Sequence, residues 1–161
     1  MHEWKTTKQE PLIDVITWVF EDGTFVPTAR ITDRGSESIV TDYLGTPTQA
    51  YNEQGEKIWE RELDIYGRVR KENLTNYIPY LFQGQYVDIE TGLCYNKNRY
   101  YDPEIGSYIS QDPIGLKGGN HLYGYVHDTN SWIDPKGLLK RSDYTKKGDL
   151  RDVTPKGVVK K

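Results

Sequence analysis

The sequence repeats one four-residue turn signal, an Asp followed three residues later by a Gly: Asp42 and Gly45, Asp64 and Gly67, Asp112 and Gly115, Asp134 and Gly137. The first two copies start 22 residues apart, and so do the last two. Asp opening a β-turn accepts from the backbone N–H groups that follow it, and Gly tolerates the exit conformation. Turns this frequent leave room for strands of a few residues, and no segment carries an apolar stripe of helical period over three turns. A strand-turn unit of roughly 20 residues cannot bury its own apolar face, so such units stack on their neighbours.

Tyrosine usage agrees. The chain has 13 Tyr and 3 Phe, and nine of the tyrosines fall from Tyr77 to Tyr125, among 15 Gly and 8 Pro in the whole chain. Tyr suits a half-buried strand, its ring packed and its hydroxyl reaching water or backbone. The fold class expected is mainly β, built of short antiparallel hairpins. Strands are predicted at 17–21, 24–26 and 29–31 around Asp22-Gly23, at 38–43, and at 49–51 and 57–63 around the turn 52–55.

Hydrophobic residues make up 35% of the chain and charged residues 28%. No apolar run approaches the roughly 20 residues of a membrane helix. The first apolar stretch, 12–20, is broken by Asp14 and Thr17, which excludes a signal peptide there. The lone cysteine, Cys94, leaves no internal disulfide. Net charge divides the chain: residues 1–138 hold 13 Lys/Arg against 21 Asp/Glu, whereas 139–161 hold 8 against 3. Opposite-sign blocks predict two segments, a domain over 1–138 and a short basic tail over 139–161.

Read in order, the residues resemble a known family. Thr41-Asp42-Tyr43-Leu44-Gly45-Thr46-Pro47 is similar to a characteristic segment of the Rhs (rearrangement hot spot) proteins, and Asp64-Ile65-Tyr66-Gly67-Arg68 to a YD-repeat signature. Phe82-Gln83-Gly84-Gln85-Tyr86, Glu90-Thr91-Gly92-Leu93 and Arg99-Tyr100-Tyr101-Asp102-Pro103 follow, with Gly106. This block resembles the Rhs-repeat-associated core domain, and His2-Glu3-Trp4 and Trp18-Val19-Phe20-Glu21 fit the approach to it. The resemblance covers roughly residues 2–138.

Its strongest element closes the core. Asp112-Pro113-Ile114-Gly115 is followed by residues 116–133 and then by Asp134-Pro135-Lys136-Gly137, with Leu138 next. An isolated Asp-Pro-x-Gly is a good turn sequence and no more. Two copies with eighteen residues between them resemble the family's self-cleavage motif. The resemblance implies a YD-repeat β-shell, plugged by the core domain, in which an aspartyl-type cut between Leu138 and Leu139 releases a C-terminal toxin. Here almost no toxin is expected to follow. It also implies a bacterial protein of interbacterial competition, cytoplasmic before export, whose full-length relatives are secreted or delivered at the cell surface.

Aspartyl chemistry needs two carboxylates that share a proton, one accepting from water while the other donates. Asp112 is the stronger candidate, being remote in sequence from the cut. The second acid is Asp128 or Asp134, and Asp134 also suits a turn-shaping role. Two departures from the family pattern predict slow or absent cleavage: Ser107, where Arg is usual, and Thr129, where Pro is common. Loss of an Arg near the pair would remove a charge that keeps one carboxylate ionised.

Other polar residues form no better constellation. His121, His127, Ser131 and Asp128 make a triad only on paper. The three histidines and Cys94 lack metal-ligand spacing, so no metal and no cofactor is expected. Cys94, among tyrosines, reads as a packed thiol. The basic tail, Lys140 to Lys161, would bind nucleic acid only weakly and without specificity. The partners implied are other YD-repeat shell segments or a second copy, with an immunity or secretion protein further off and no membrane. A competing reading is an orphan structural module that packs with another Rhs polypeptide and has no catalytic activity.

Overall fold

The computed structural model describes residues 15–117 and 121–138. Its first half is one meander. Strands β1 (Thr17–Phe20), β2 (Pro27–Thr32), β3 (Gly35–Thr41), β4 (Pro47–Tyr51), β5 (Lys57–Leu63) and β6 (Val69–Glu72) pair antiparallel in chain order as a six-stranded sheet. A second, four-stranded antiparallel sheet runs in the order β10 (Ser107–Tyr108), β9 (Arg99–Asp102), β8 (Cys94–Asn96), β7 (Tyr86–Val87). Among the described residues the only helical element is the 3₁₀ turn Gly115–Lys117. No described helix is long and apolar enough to cross a membrane.

The repeated turns explain the short strands. At Asp42, Oδ1 accepts from Leu44 N and Thr46 N at 2.8 and 2.9 Å, while Gly45 N donates to the Asp42 carbonyl. At Asp64, Oδ1 accepts from Tyr66 N and Arg68 N at 2.8 and 3.0 Å, and Gly67 N closes the turn. Asn52 does the same with Gln54 N and Glu56 N. One predicted strand is absent: residues 24–26 belong to the loop between β1 and β2. The Thr24 hydroxyl donates to the Glu21 carbonyl and accepts from Val26 N, so backbone groups a strand would use are taken locally.

Each sheet carries its own core. Ile39, Ala50, Trp59 and Ile78 fill the first, with Trp18, Ile58, Tyr77 and Tyr80 packed against them. Arg61 is also buried here, its guanidinium donating to the carbonyls of Pro47, Ile78 and Tyr80. That fastens the 76–81 segment to β4 and β5. The second core is Leu81, Cys94, Tyr101, Tyr108 and Tyr125. The Tyr101, Tyr108 and Tyr125 rings lie 5.2 to 5.9 Å apart, and Phe82 stacks on Tyr125 at 5.4 Å. Tyr101 donates to the Tyr66 carbonyl and Gln83 Nε2 to the Leu44 carbonyl, joining the sheets across YD-type turns.

Candidate acid-pair site

β9 alternates its side chains, so Arg99 and Tyr101 point inward while Tyr100 faces solvent. Arg99 enters above the tyrosine core, with its Cζ 3.6 Å from the Tyr108 ring centroid. Only 2% of it is exposed. Its Nη2 lies 3.4 Å from Asp112 Oδ2 and 3.3 Å from Asp134 Oδ2. The first acids of the two Asp-Pro-x-Gly turns therefore converge on a single guanidinium. Asp112 is 8% exposed and Asp134 2%. Unpaired, either charge would be expensive to bury; one shared Arg offsets both.

Both motifs fold as turns. Gly115 N donates to the Asp112 carbonyl and Ile114 N to Asp112 Oδ1, while Asp112 N is held by the Leu122 carbonyl. Gly137 N donates to the Asp134 carbonyl, and Leu138 N to Asp134 Oδ1 at 3.2 Å. Pro113 is exposed and Pro135 buried. The second turn is gripped from two sides. Asn96 Nδ2 donates to the Asp134 carbonyl at 2.9 Å, Asn98 Nδ2 to the Lys136 carbonyl at 2.8 Å, and Arg99 Nε to the Gly137 carbonyl at 2.7 Å. The β8–β9 hairpin thus holds the backbone of 134–137 at three carbonyls, in addition to the Arg99 contact with the Asp134 carboxylate. Gly84 lies against the other side, where an added Cβ would stand 2.4 Å from the Pro135 carbonyl oxygen.

Asp134 is the more closely held acid. Tyr108 donates its hydroxyl hydrogen to Asp134 Oδ2 at 2.8 Å, and Asn96 Nδ2 donates to the Tyr108 oxygen at 2.7 Å. Asp134 N donates to the Tyr125 hydroxyl oxygen at 3.4 Å. Burial pushes the Asp134 carboxyl above its ordinary value, against the lowering effect of the Tyr108 hydroxyl, the Leu138 N–H and Arg99. Burial, reinforced by the Asp134 charge, drives the Tyr108 and Tyr125 hydroxyls far above theirs, so both stay protonated.

The remaining sequence candidates fall elsewhere. Asp128 is exposed, and its carboxylate accepts from Asn130 N and the Ser131 hydroxyl, which lower its pKa. The structure brings Asp134, not Asp128, to Asp112. His121 and His127 are exposed with ring centroids 6.2 Å apart, and no group of three metal-ligating side chains forms among the described residues. Cys94 is buried, and burial pushes its thiol up to about 12. Leu138 is half-buried beside the site, while Leu139 lies outside the described residues. Ser107 precedes the inward-facing Tyr108, so its side chain takes the opposite face. An Arg there would point away from the pair, whose positive charge comes from Arg99. Sequence reasoning missed Arg99, Asn96 and Tyr108; a lone Arg alternating with tyrosines in an inward register was the available signal.

The short antiparallel strands and their turns define a β-shell segment, and comparison with known proteins agrees on the fold. The teneurin YD-shell family model matches residues 23–130, and the chain belongs to that family. It is 46% identical over 100 residues to the toxin protein Tse5 of Pseudomonas aeruginosa, covering 62% of this chain and 8% of that protein. It is 38% identical over 128 residues to the probable deoxyribonuclease RhsA of Dickeya dadantii, covering 76% and 9%. The chain thus spans under a tenth of either relative. Among solved structures, the Photorhabdus luminescens Tc holotoxin pore superposes with a TM-score of 0.66 at 25% identity, over 78% of this chain and 6% of that one. The protein is an Rhs-type YD-shell segment related to polymorphic toxins.

Proposed function

We propose that this segment is the self-processing end of a YD-shell, and that Asp112 and Asp134 hydrolyse the peptide bond between Leu138 and Leu139. One observation carries the reading: the two carboxylates meet on Arg99 Nη2 at 3.4 and 3.3 Å, while Arg99 Nε holds the carbonyl one residue before Leu138. In the proposed step, water attacks the Leu138 carbonyl carbon. One carboxylate takes the water proton and the other acid protonates the carbonyl oxygen. On collapse the first acid gives its proton to the departing Leu139 nitrogen, the C–N bond breaks, and a hydroxyl of the intermediate returns a proton to the second acid. Arg99 stabilises the anionic member throughout and orients both.

The test is the intact mass of the purified chain over prolonged incubation, beside Asp112→Asn and Asp134→Asn. Asn keeps the shape of Asp but cannot exchange the proton. Slow release of fragments ending at Leu138 is expected in the wild type, and none in either variant. An uncut wild-type chain across the pH range would sink the reading.

A further inference from the structure

Asn96, Tyr108 and Asp134 form a closed ring of hydrogen bonds whose direction is fixed at every step. The Asp134 backbone carbonyl can only accept, so the Asn96 side chain must turn its Nδ2 towards it. The same Nδ2 then faces the Tyr108 oxygen at 2.7 Å and donates there. With its oxygen engaged as an acceptor, Tyr108 has one hydrogen to place, and Asp134 Oδ2 lies 2.8 Å away. The ring begins and ends on Asp134, and its polarity delivers a donor to that carboxylate. A flipped Asn96 would set oxygen against oxygen at the Asp134 carbonyl.

The other groups facing Asp134 act in the same sense. Arg99 from β9 reaches Oδ2, and Leu138 N from the second turn donates to Oδ1. Tyr125 meets the Asp134 backbone N–H, not its carboxylate. A neutral Asp134 would need an acceptor for its own hydrogen, and each oxygen is already met by donors. Protonation at Oδ2 would also leave the Tyr108 hydrogen without a place in a buried site. Asp112 is held less completely: Ile114 N donates to Oδ1 and Arg99 Nη2 lies 3.4 Å from Oδ2.

We infer that Asn96 and Tyr108 are positioning residues that hold Asp134 as the anion of the pair and leave the shared proton to Asp112. Asp134 is then the base that takes the water proton, and Asp112 the acid that protonates the carbonyl oxygen. Burial opposes this division, since it raises the Asp134 carboxyl above its ordinary value; the donors converging on Oδ1 and Oδ2 are what carry it. The catalytic roles rest on the self-cleavage reading; the order of ionisation does not.

The experiment uses the full chain labelled with 13C-aspartate, its carboxyl signals followed by NMR from acid to neutral pH. Asp112→Asn and Asp134→Asn assign the two signals, since coupled acids titrate as a unit. Asp134 should be the first of the two to ionise as pH rises. Tyr108→Phe should move the Asp134 titration upward by about one pH unit through loss of a donor, and Asn96→Ala should move it in the same direction. Tyr95→Phe, on the exposed face, should leave it unchanged. An Asp134 signal that ionises after Asp112 in the wild type overturns the inference without any variant of Tyr108. So does a Tyr108→Phe effect confined to Asp112. Where cleavage is observed, Tyr108→Phe should shift the acidic limb of its pH profile upward, and a shift of the alkaline limb instead would mean the roles are reversed. If the chain never cuts but Asp134 ionises first, the self-cleavage reading fails and this inference stands.

Discussion

At the scale of single residues, Arg99 decides whether two carboxylates can be buried together. Arg99→Met keeps most of the volume and removes the charge, leaving Asp112 and Asp134 facing one another. Breaking a buried ion pair by removing one partner costs about 3–5 kcal/mol. The pH dependence follows from sign. Without Arg99 the Asp134 carboxyl, which burial already raises, rises further. An acid raised in the folded state contributes stability that is present at low pH and lost as pH rises through the folded value. The deficit of Arg99→Met relative to wild type should therefore be larger at neutral pH than near pH 4, as read by urea unfolding at each. A deficit independent of pH would mean that Arg99 acts by packing on Tyr108 alone. Glycines give a second test. Gly137 has φ +62° and a Cβ there would stand 2.6 Å from the Asn96 carbonyl oxygen; Gly84 has φ +88° and meets Pro135 at 2.4 Å. Gly55 has φ +79° with nothing within 4 Å. Gly55→Ala should cost about 1–2 kcal/mol of backbone strain alone, whereas Gly84→Ala and Gly137→Ala add a collision with backbone and should cost about 3–5 kcal/mol. Chemical denaturation of the three variants separates the cases. The two Asp-Pro-x-Gly motifs were legible in sequence because their spacing is internal to the chain. Asn96, Arg99 and Tyr108 were not, because their roles depend on a strand register that brings residues 35, 38 and 26 positions apart into contact.

At the scale of elements, the turn carboxylates set where each hairpin ends. Asp42 binds two backbone N–H groups and Asn52 binds two in the same arrangement. Asp42→Asn should therefore be nearly neutral, while Asp42→Ala should cost about 1–2 kcal/mol by leaving those donors unpaired; thermal unfolding of both variants measures the difference. Asp88 and Asp128 sit lower than ordinary, the first through the Thr91 hydroxyl and Glu90 N–H, the second through the Ser131 hydroxyl and Asn130 N–H. An acid lowered in the folded state contributes stability above its unfolded value that is lost as pH falls through the folded one. The melting temperature should drop as pH falls below about 4, and Asp88→Asn should flatten part of that drop. Turns and hairpins were readable because these signals are local. The loop at 21–26 was misread as part strand because Thr24, a good strand former, spends its hydroxyl on its own turn. The buried tyrosine cluster was readable as strands, but which tyrosines face inward was not: Tyr100 and Tyr101 are neighbours with opposite fates.

At the scale of the whole molecule, the sheets present faces and edges that a YD-shell would cover with further strands. Tyr86, Tyr95 and Tyr100 pair across β7, β8 and β9 and remain 49, 46 and 42% exposed. Tyr80 continues the row through edge contacts to Tyr86, Trp18 and Phe20. The row thus runs from the first sheet to the second as one apolar stripe. Among the described residues β1 has a strand on only one side, and its sequence, Thr17-Trp18-Val19-Phe20, is strongly β-forming. An open edge beside an exposed aromatic stripe is a template for pairing with another chain. The isolated chain should therefore self-associate as concentration rises, by sedimentation velocity across a range of concentrations. The two features are separable. Val19→Lys places a charge on the edge strand without touching the stripe, and Tyr95→Lys does the converse, 46% exposed at the centre of β8. If the edge drives association, Val19→Lys alone restores the monomer; if the stripe drives it, Tyr95→Lys does. A wild-type chain that stays monomeric at the highest concentration tested would show that its exposed tyrosines, with hydroxyls in water, are polar enough to need no cover.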